Sequence, residues 1–231
     1  THATFRGKTV ITRNGIDADR YIGRDIKKVT HKYFYSSSYD RGLEQLLEIW
    51  PQIKEAIPDA ELHVAYGTQT SEMIYEITGE KDKLKQLYRL LGKMKSLPGV
   101  THHERLGQQA LADLQMSCEA WLYPYQPNEF GGFLETYCIT ALEAMAARCV
   151  PITRNNGALK EVVQHCHVWD KNMTVEHLLE ILKDPKLMFP DGCLDDNQKY
   201  ALSRTWESLA ISWARNLAPK EEVAVGALNT V

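Results

Sequence analysis

Short runs of aromatic and β-branched residues alternate along this chain with longer stretches in which apolar residues recur every three or four positions. Tyr33-Phe34-Tyr35, Leu62-His63-Val64-Ala65-Tyr66, Trp121-Leu122-Tyr123 and Val150-Pro151-Ile152-Thr153 predict strands. Leu43, Leu46, Leu47, Trp50 and Ile53 share one helical face, so 41–56 predicts an amphipathic helix kinked by Pro51. Further helices are predicted over 73–91, with Pro98-Gly99 as the exit, over 108–117 and over 175–182. A last helix over 197–217 carries Leu202, Trp206, Leu209, Ile211 and Trp213 on a broad stripe, more apolar surface than one small sheet requires. Strand, helix and strand in repetition predict an α/β fold: a Rossmann-like parallel sheet with helices on both faces. Right-handed crossovers then gather the carboxyl ends of the strands on one edge, where open sheets bind ligands.

Composition narrows the field. No repeat or linker divides the 231 residues, so a single Rossmann-like domain over 1–231 is expected. A formal charge of -3 gives no general attraction for nucleic acid or anionic membrane, so a phosphate ligand must be held by locally placed groups. No run is long and apolar enough to span a bilayer, and Thr1, His2, Ala3 and Thr4 lack a signal-peptide layout, which suggests a cytoplasmic chain. The five cysteines, Cys118, Cys138, Cys149, Cys166 and Cys193, include no CxxC pair and read as reduced thiols. His165-Cys166-His167 reads as a polar loop, because three consecutive residues seldom converge on one metal.

Most of the chemistry lies between Trp121 and Ile152. Glu135 and Glu143 are separated by seven residues. If Thr136 caps a helix running through Ala147, Glu135 sits before its first turn and Glu143 two turns on. The free amides of Tyr137, Cys138 and Ile139 would then present the positive helix end to a diphosphate. The sequence of groups is a carboxylate for sugar hydroxyls, bare amides for phosphates, and a deeper carboxylate for ribose. Spacing alone is also compatible with two exposed helix glutamates.

Glu135 to Glu143, followed by Ala144-Met145-Ala146-Ala147, resembles the E-x7-E-A-M-A signature of family 4 retaining glycosyltransferases, which have the two-domain GT-B fold. Other segments match in the family's order: Asn14-Gly15-Ile16-Asp17, the Ser36-Ser37-Ser38-Tyr39-Asp40-Arg41-Gly42 loop, Pro58-Asp59-Ala60-Glu61-Leu62 with Tyr66-Gly67, and Gly99-Val100. The resemblance spans about 10–215 and is to the C-terminal, nucleotide-sugar-binding half of the fold. It implies that Arg41 is the cation on the donor diphosphate, that Glu135 lies near the sugar and that Glu143 meets the ribose. An Arg fork beside a helix terminus would take the place of a divalent metal, so no metal and no cofactor beyond the donor is expected. Ser38 and Gly132 join the donor-site candidates, Gly132 because a glycine lets backbone approach a sugar. Many members carry a second basic residue where Ser36 or Ser37 stands here; Arg105 or Lys160 could compensate, and His102-His103-Glu104-Arg105 sits where the family has its base-binding loop.

On this reading 1–20 is a remnant of an interdomain linker, 197–217 is a helix crossing back to an absent N-terminal acceptor domain, and the chain is part of a longer protein. The implied reaction moves a sugar from a nucleoside diphosphate-sugar to an acceptor hydroxyl of a glycan, lipid or protein, with retention. The isolated domain is expected to bind donor with little transfer, and its exposed apolar surface to favour a homo-oligomer. Two alternatives stay open: a non-catalytic nucleotide- or protein-binding module of similar shape, and an epimerase or phosphorylase on the same scaffold. A dehydrogenase is disfavoured because no GxGxxG follows a strand.

Overall fold

A computed structural model of the chain describes residues 12–125, 133–169, 172–187 and 189–217. Six strands form one parallel sheet in the order β3-β2-β1-β4-β5-β6. They are β1 (Lys32–Tyr35), β2 (Glu61–Val64), β3 (Val100–His102), β4 (Ala120–Tyr123), β5 (Val150–Thr153) and β6 (His167–Val168). The runs read as strands fall at β1, β2, β4 and β5, with Ala65 and Tyr66 lying just beyond the end of β2. β4 and β5 are buried throughout and β1 nearly so, because helices cover both faces of a parallel sheet; β2, nearer the edge, alternates. β6 corrects the reading of His165-Cys166-His167 as a polar loop: His167 pairs with Ile152, and the side chain of buried Asn197 clamps the backbone of His165.

The helix α1 (Leu43–Ala56) buries all five of its predicted apolar residues and runs on through Pro51. α4 (Gln108–Ser117) and α7 (Val175–Lys183) also fall where the periodicity put them. Two long predictions fail, each at a local stop signal. The segment over 73–91 is α2 (Gln69–Thr78) and α3 (Lys81–Ser96), parted by Gly79 at a left-handed φ of 70°. There the Glu80 amide reaches back to the Tyr75 carbonyl at 2.9 Å, a Schellman-type closure. The segment over 197–217 is α8 (Cys193–Leu202) and α9 (Trp206–Leu217). Thr205 and Ser208 exchange amide-to-hydroxyl bonds at 3.1 Å each, capping α9 as a new helix. Ile16 bridges to Thr205 at this break, and a Cβ on Gly15 would lie 2.5 Å from the Thr205 carbonyl carbon, so only glycine fits. Trp206, Ile211 and Trp213 of α9 are 47%, 47% and 43% exposed.

The core lies between the central strands and these helices, with Tyr33, Phe34, Tyr35, Trp50, Trp121 and Tyr123 all fully buried. Between β5 and β4 runs α5 (Ile139–Ala146), and α6 (Leu159–Val162) follows β5. Adjacent β1 and β4 send their chains in opposite directions across the sheet, so a crevice opens between their carboxyl ends. No helix among the described residues is long and apolar enough to cross a membrane.

Candidate donor site at the sheet edge

The β1 lip of this crevice is Ser36, Ser37 and Ser38, leading to Arg41. The Tyr35 hydroxyl lies 2.7 Å from the carbonyls of both Ser38 and Arg41, and the Arg41 amide donates to Ser38 at 3.0 Å, which closes the loop into a tight turn. Gly42 takes φ 87° to start α1, and a Cβ there would meet the Tyr125 amide at 2.8 Å. The Arg41 guanidinium stacks on Phe133, 3.7 Å from the ring centroid. Phe133 is two residues before Glu135, so Arg41 and Glu135 belong to one crevice.

Glu135 is 6% exposed and held at both ends. Its carboxylate accepts from the Tyr123 hydroxyl and from the Tyr137 amide, each at 3.3 Å. Its carbonyl accepts from the Ala158 amide at 2.8 Å, and a Cβ on Gly157 would sit 2.2 Å from that oxygen. The loop after β5 therefore buttresses Glu135 from behind.

The helix behind it begins later than the sequence predicted. Cys138, not Thr136, occupies the N-cap position, with a left-handed φ of 67°, and Thr136 is an exposed residue ahead of α5. The carboxylate of Glu135 takes the Tyr137 amide, which keeps the backbone out of helical register for two more residues. Tyr137 therefore does not offer a free amide. Those of Cys138, Ile139 and Thr140 find no acceptor among the described residues, while the Thr140 hydroxyl donates to the Ser36 carbonyl at 2.9 Å. Beside that contact the Ser36 hydroxyl is buried without a partner among the described residues. The Cys138 thiol is pushed well up by burial and by Glu135, so it is an uncharged group.

Glu143 lies one turn into α5 and faces Gln115 of α4. It accepts from Gln115 at 3.4 Å, and Gln115 in turn accepts from Tyr21 at 2.7 Å. Burial raises the Glu143 carboxyl above the usual range, with Gln115 and then Arg20 pulling it back. Arg105, exposed after β3, packs against Gly67 beyond β2 and is not part of the β1–β4 crevice. Gly132 lies outside the described residues. Sequence reasoning missed Tyr35, Tyr123 and Phe133, whose roles depend on contacts across the crevice, and named Tyr137 for an amide that Glu135 takes. A cleft of about 550 Å³ lies between α1 and α3, lined by Tyr39, Glu48, Tyr75, Lys83 and Tyr125. It contains neither carboxylate nor the open amides, so the candidate site is defined by its groups rather than by hollow volume.

An open parallel sheet with a buried carboxylate, an arginine and an open helix N-terminus at its switch point defines a Rossmann-like ligand-binding domain of the GT-B type. Residues 27–188 match the profile of the family described as glycosyl transferases group 1, and the chain belongs to that family. No curated protein matches the chain in sequence. Among solved structures it is similar to HepE from Anabaena in complex with UDP-glucose, at a TM-score of 0.65 and 14% identity over 90% of this chain and 57% of that one. It is also similar to AviGT4, a glycosyltransferase involved in avilamycin A biosynthesis (TM-score 0.58, 17% identity, 89% and 55% covered). A third is sucrose-phosphate synthase from Thermosynechococcus elongatus (TM-score 0.58, 16% identity, 93% and 55% covered). The chain thus spans little more than half the length of these proteins.

Proposed function

We propose that this domain binds the nucleoside diphosphate-sugar donor of a retaining, family 4 hexosyltransferase, which passes the sugar to a hydroxyl of a glycan, lipid or protein acceptor. The observation that carries the reading is the order of groups along one helix: Glu135 before α5, open amides at its start, and Glu143 one turn in, with Arg41 across the crevice. A diphosphate would take the amides of Cys138, Ile139 and Thr140 and the Arg41 guanidinium. Ser38 lines the entrance through its backbone. The sugar would meet Glu135, and the ribose Glu143. The work of the site is to stabilise charge on the departing diphosphate, and with these donors it needs no divalent metal. The apolar side chains exposed on α9 supply a face for a second domain or a second copy. Retention, the hexose and a cytoplasmic location are parts of the same proposal.

Calorimetric titration with UDP, GDP, ADP and their hexose conjugates tests it. One nucleotide should bind, and Arg41→Ala and Glu143→Ala should each weaken it; equal affinity in wild type and both variants would refute the assignment.

A further inference from the structure

We infer that Tyr123 is a positioning residue: its hydroxyl fixes the orientation in which Glu135 meets the donor sugar. The inference rests on the donor-site reading and adds to it a residue that contacts no substrate.

Tyr123 and Tyr35 end β4 and β1, the two central strands, and both are fully buried. Their rings lie 6.2 Å apart, and Tyr123 also stacks on Trp121 at 5.2 Å with an interplanar angle of 13°. Each phenol reaches one wall of the site. Tyr35 binds the turn that carries Arg41, and Tyr123 donates to Oε2 of Glu135. The two walls of the crevice therefore meet at one pair of neighbouring phenol rings.

Burial raises both phenols far above their ordinary range, so each remains an O–H donor at any pH the protein experiences. A donor that never ionises is suited to holding a carboxylate. Each carboxylate oxygen accepts about two hydrogen bonds. With one site on Oε2 taken by Tyr123 and one on Oε1 by the Tyr137 amide, the unused lone pairs of Glu135 point in fixed directions. Without the phenol the carboxylate turns about its last bond, and the geometry offered to sugar hydroxyls is lost while the nucleotide contacts stay.

The predicted consequence is a split between sugar and nucleotide. The quantity to read is the ratio of Kd for UDP to Kd for UDP-glucose, with the GDP and ADP pairs run alongside. Tyr123→Phe keeps the ring stack and should cut that ratio about fivefold to tenfold, leaving the free nucleotide within about twofold, as expected for one long hydrogen bond to a charged group. Glu135→Gln should abolish the ratio, and Tyr123→Phe added to it should change nothing further. Should Tyr123→Phe fail to fold, Tyr123→Met, which also lacks the hydroxyl, stands in and should give a cut of the same kind. A ratio lost in Glu135→Gln but preserved in Tyr123→Phe, or in Tyr123→Met where that variant stands in, overturns the positioning role alone. A ratio preserved in Glu135→Gln, or no nucleotide bound by folded protein, overturns the donor-site reading and this inference with it.

Discussion

The Thr140 hydroxyl donates to the carbonyl of Ser36 at 2.9 Å, across 104 residues of sequence, and so staples the first turn of α5 to the end of β1. It thereby ties the helix that follows β4 to the end of β1; β4 and β1 are the two strands whose chains part to open the crevice. Thr140→Val keeps the shape and removes the staple. It should cost about 1 kcal/mol in denaturant unfolding, the usual worth of one such bond. Nucleotide affinity should fall several-fold in the same variant, since the open amides are no longer held against the β1 lip.

Glu135 depends on a glycine behind it. Gly157 has φ 55°, and a Cβ there would lie 2.2 Å from the carbonyl oxygen of Glu135. Gly157→Ala must therefore displace the segment carrying the carboxylate as well as strain its own backbone. We expect a loss of about 2 kcal/mol or more in unfolding experiments and no measurable preference for nucleotide sugar over nucleotide.

Glu143 gives a pH signature. Its carboxyl is raised above the ordinary value by burial, so the folded state binds a proton more tightly than the unfolded chain. The stability from this group is complete below the unfolded pKa of 4.5 and declines as pH rises through the higher folded value. Glu143→Gln should thus raise the thermal midpoint above pH 7, with the gap to wild type closing as pH falls toward about 4. The same variant should bind nucleotide more weakly, because the charge that costs stability is the one proposed to hold the ribose.

At the opposite edge of the sheet, the Lys28 ammonium donates to the carbonyls of Met116, Cys118 and Ala147 at 3.3, 2.5 and 3.0 Å. It closes the C-terminal ends of α4 and α5, where helix dipoles favour a cation. Lys28→Met should destabilise the protein by about 2 kcal/mol, because three carbonyls lose a charged donor. Nucleotide affinity should be unchanged, which separates this edge from the donor edge in a paired melting and titration experiment.

Much of this fold was legible where one period governs a segment. The aromatic and β-branched runs of β1, β4 and β5 and the apolar face of α1 reappear because burial on a parallel sheet enforces them. The strands β3 and β6 are too short and polar to stand out, and β6 owes its place to pairing with β5 and to Asn197. Two helices were read as continuous because apolar periodicity carried across their stops; Gly79 and the Thr205–Ser208 pair were the signals to weigh more heavily. In the site, Arg41, Glu135 and Glu143 were visible as residue types at a spacing. The late start of α5 was not, since it follows from a carboxylate capturing the Tyr137 amide. Neither were the phenols of Tyr35 and Tyr123, which act across the crevice rather than along the chain.

The central claim is that the open amides at the start of α5 receive the diphosphate. Amide-resolved NMR titration reads this directly: with saturating nucleoside diphosphate, the N–H signals of Cys138, Ile139 and Thr140 should show the largest downfield shifts in the protein, and a nucleoside without phosphate should leave them in place. Shifts confined to other loops, or equal shifts with and without the phosphates, would contradict it.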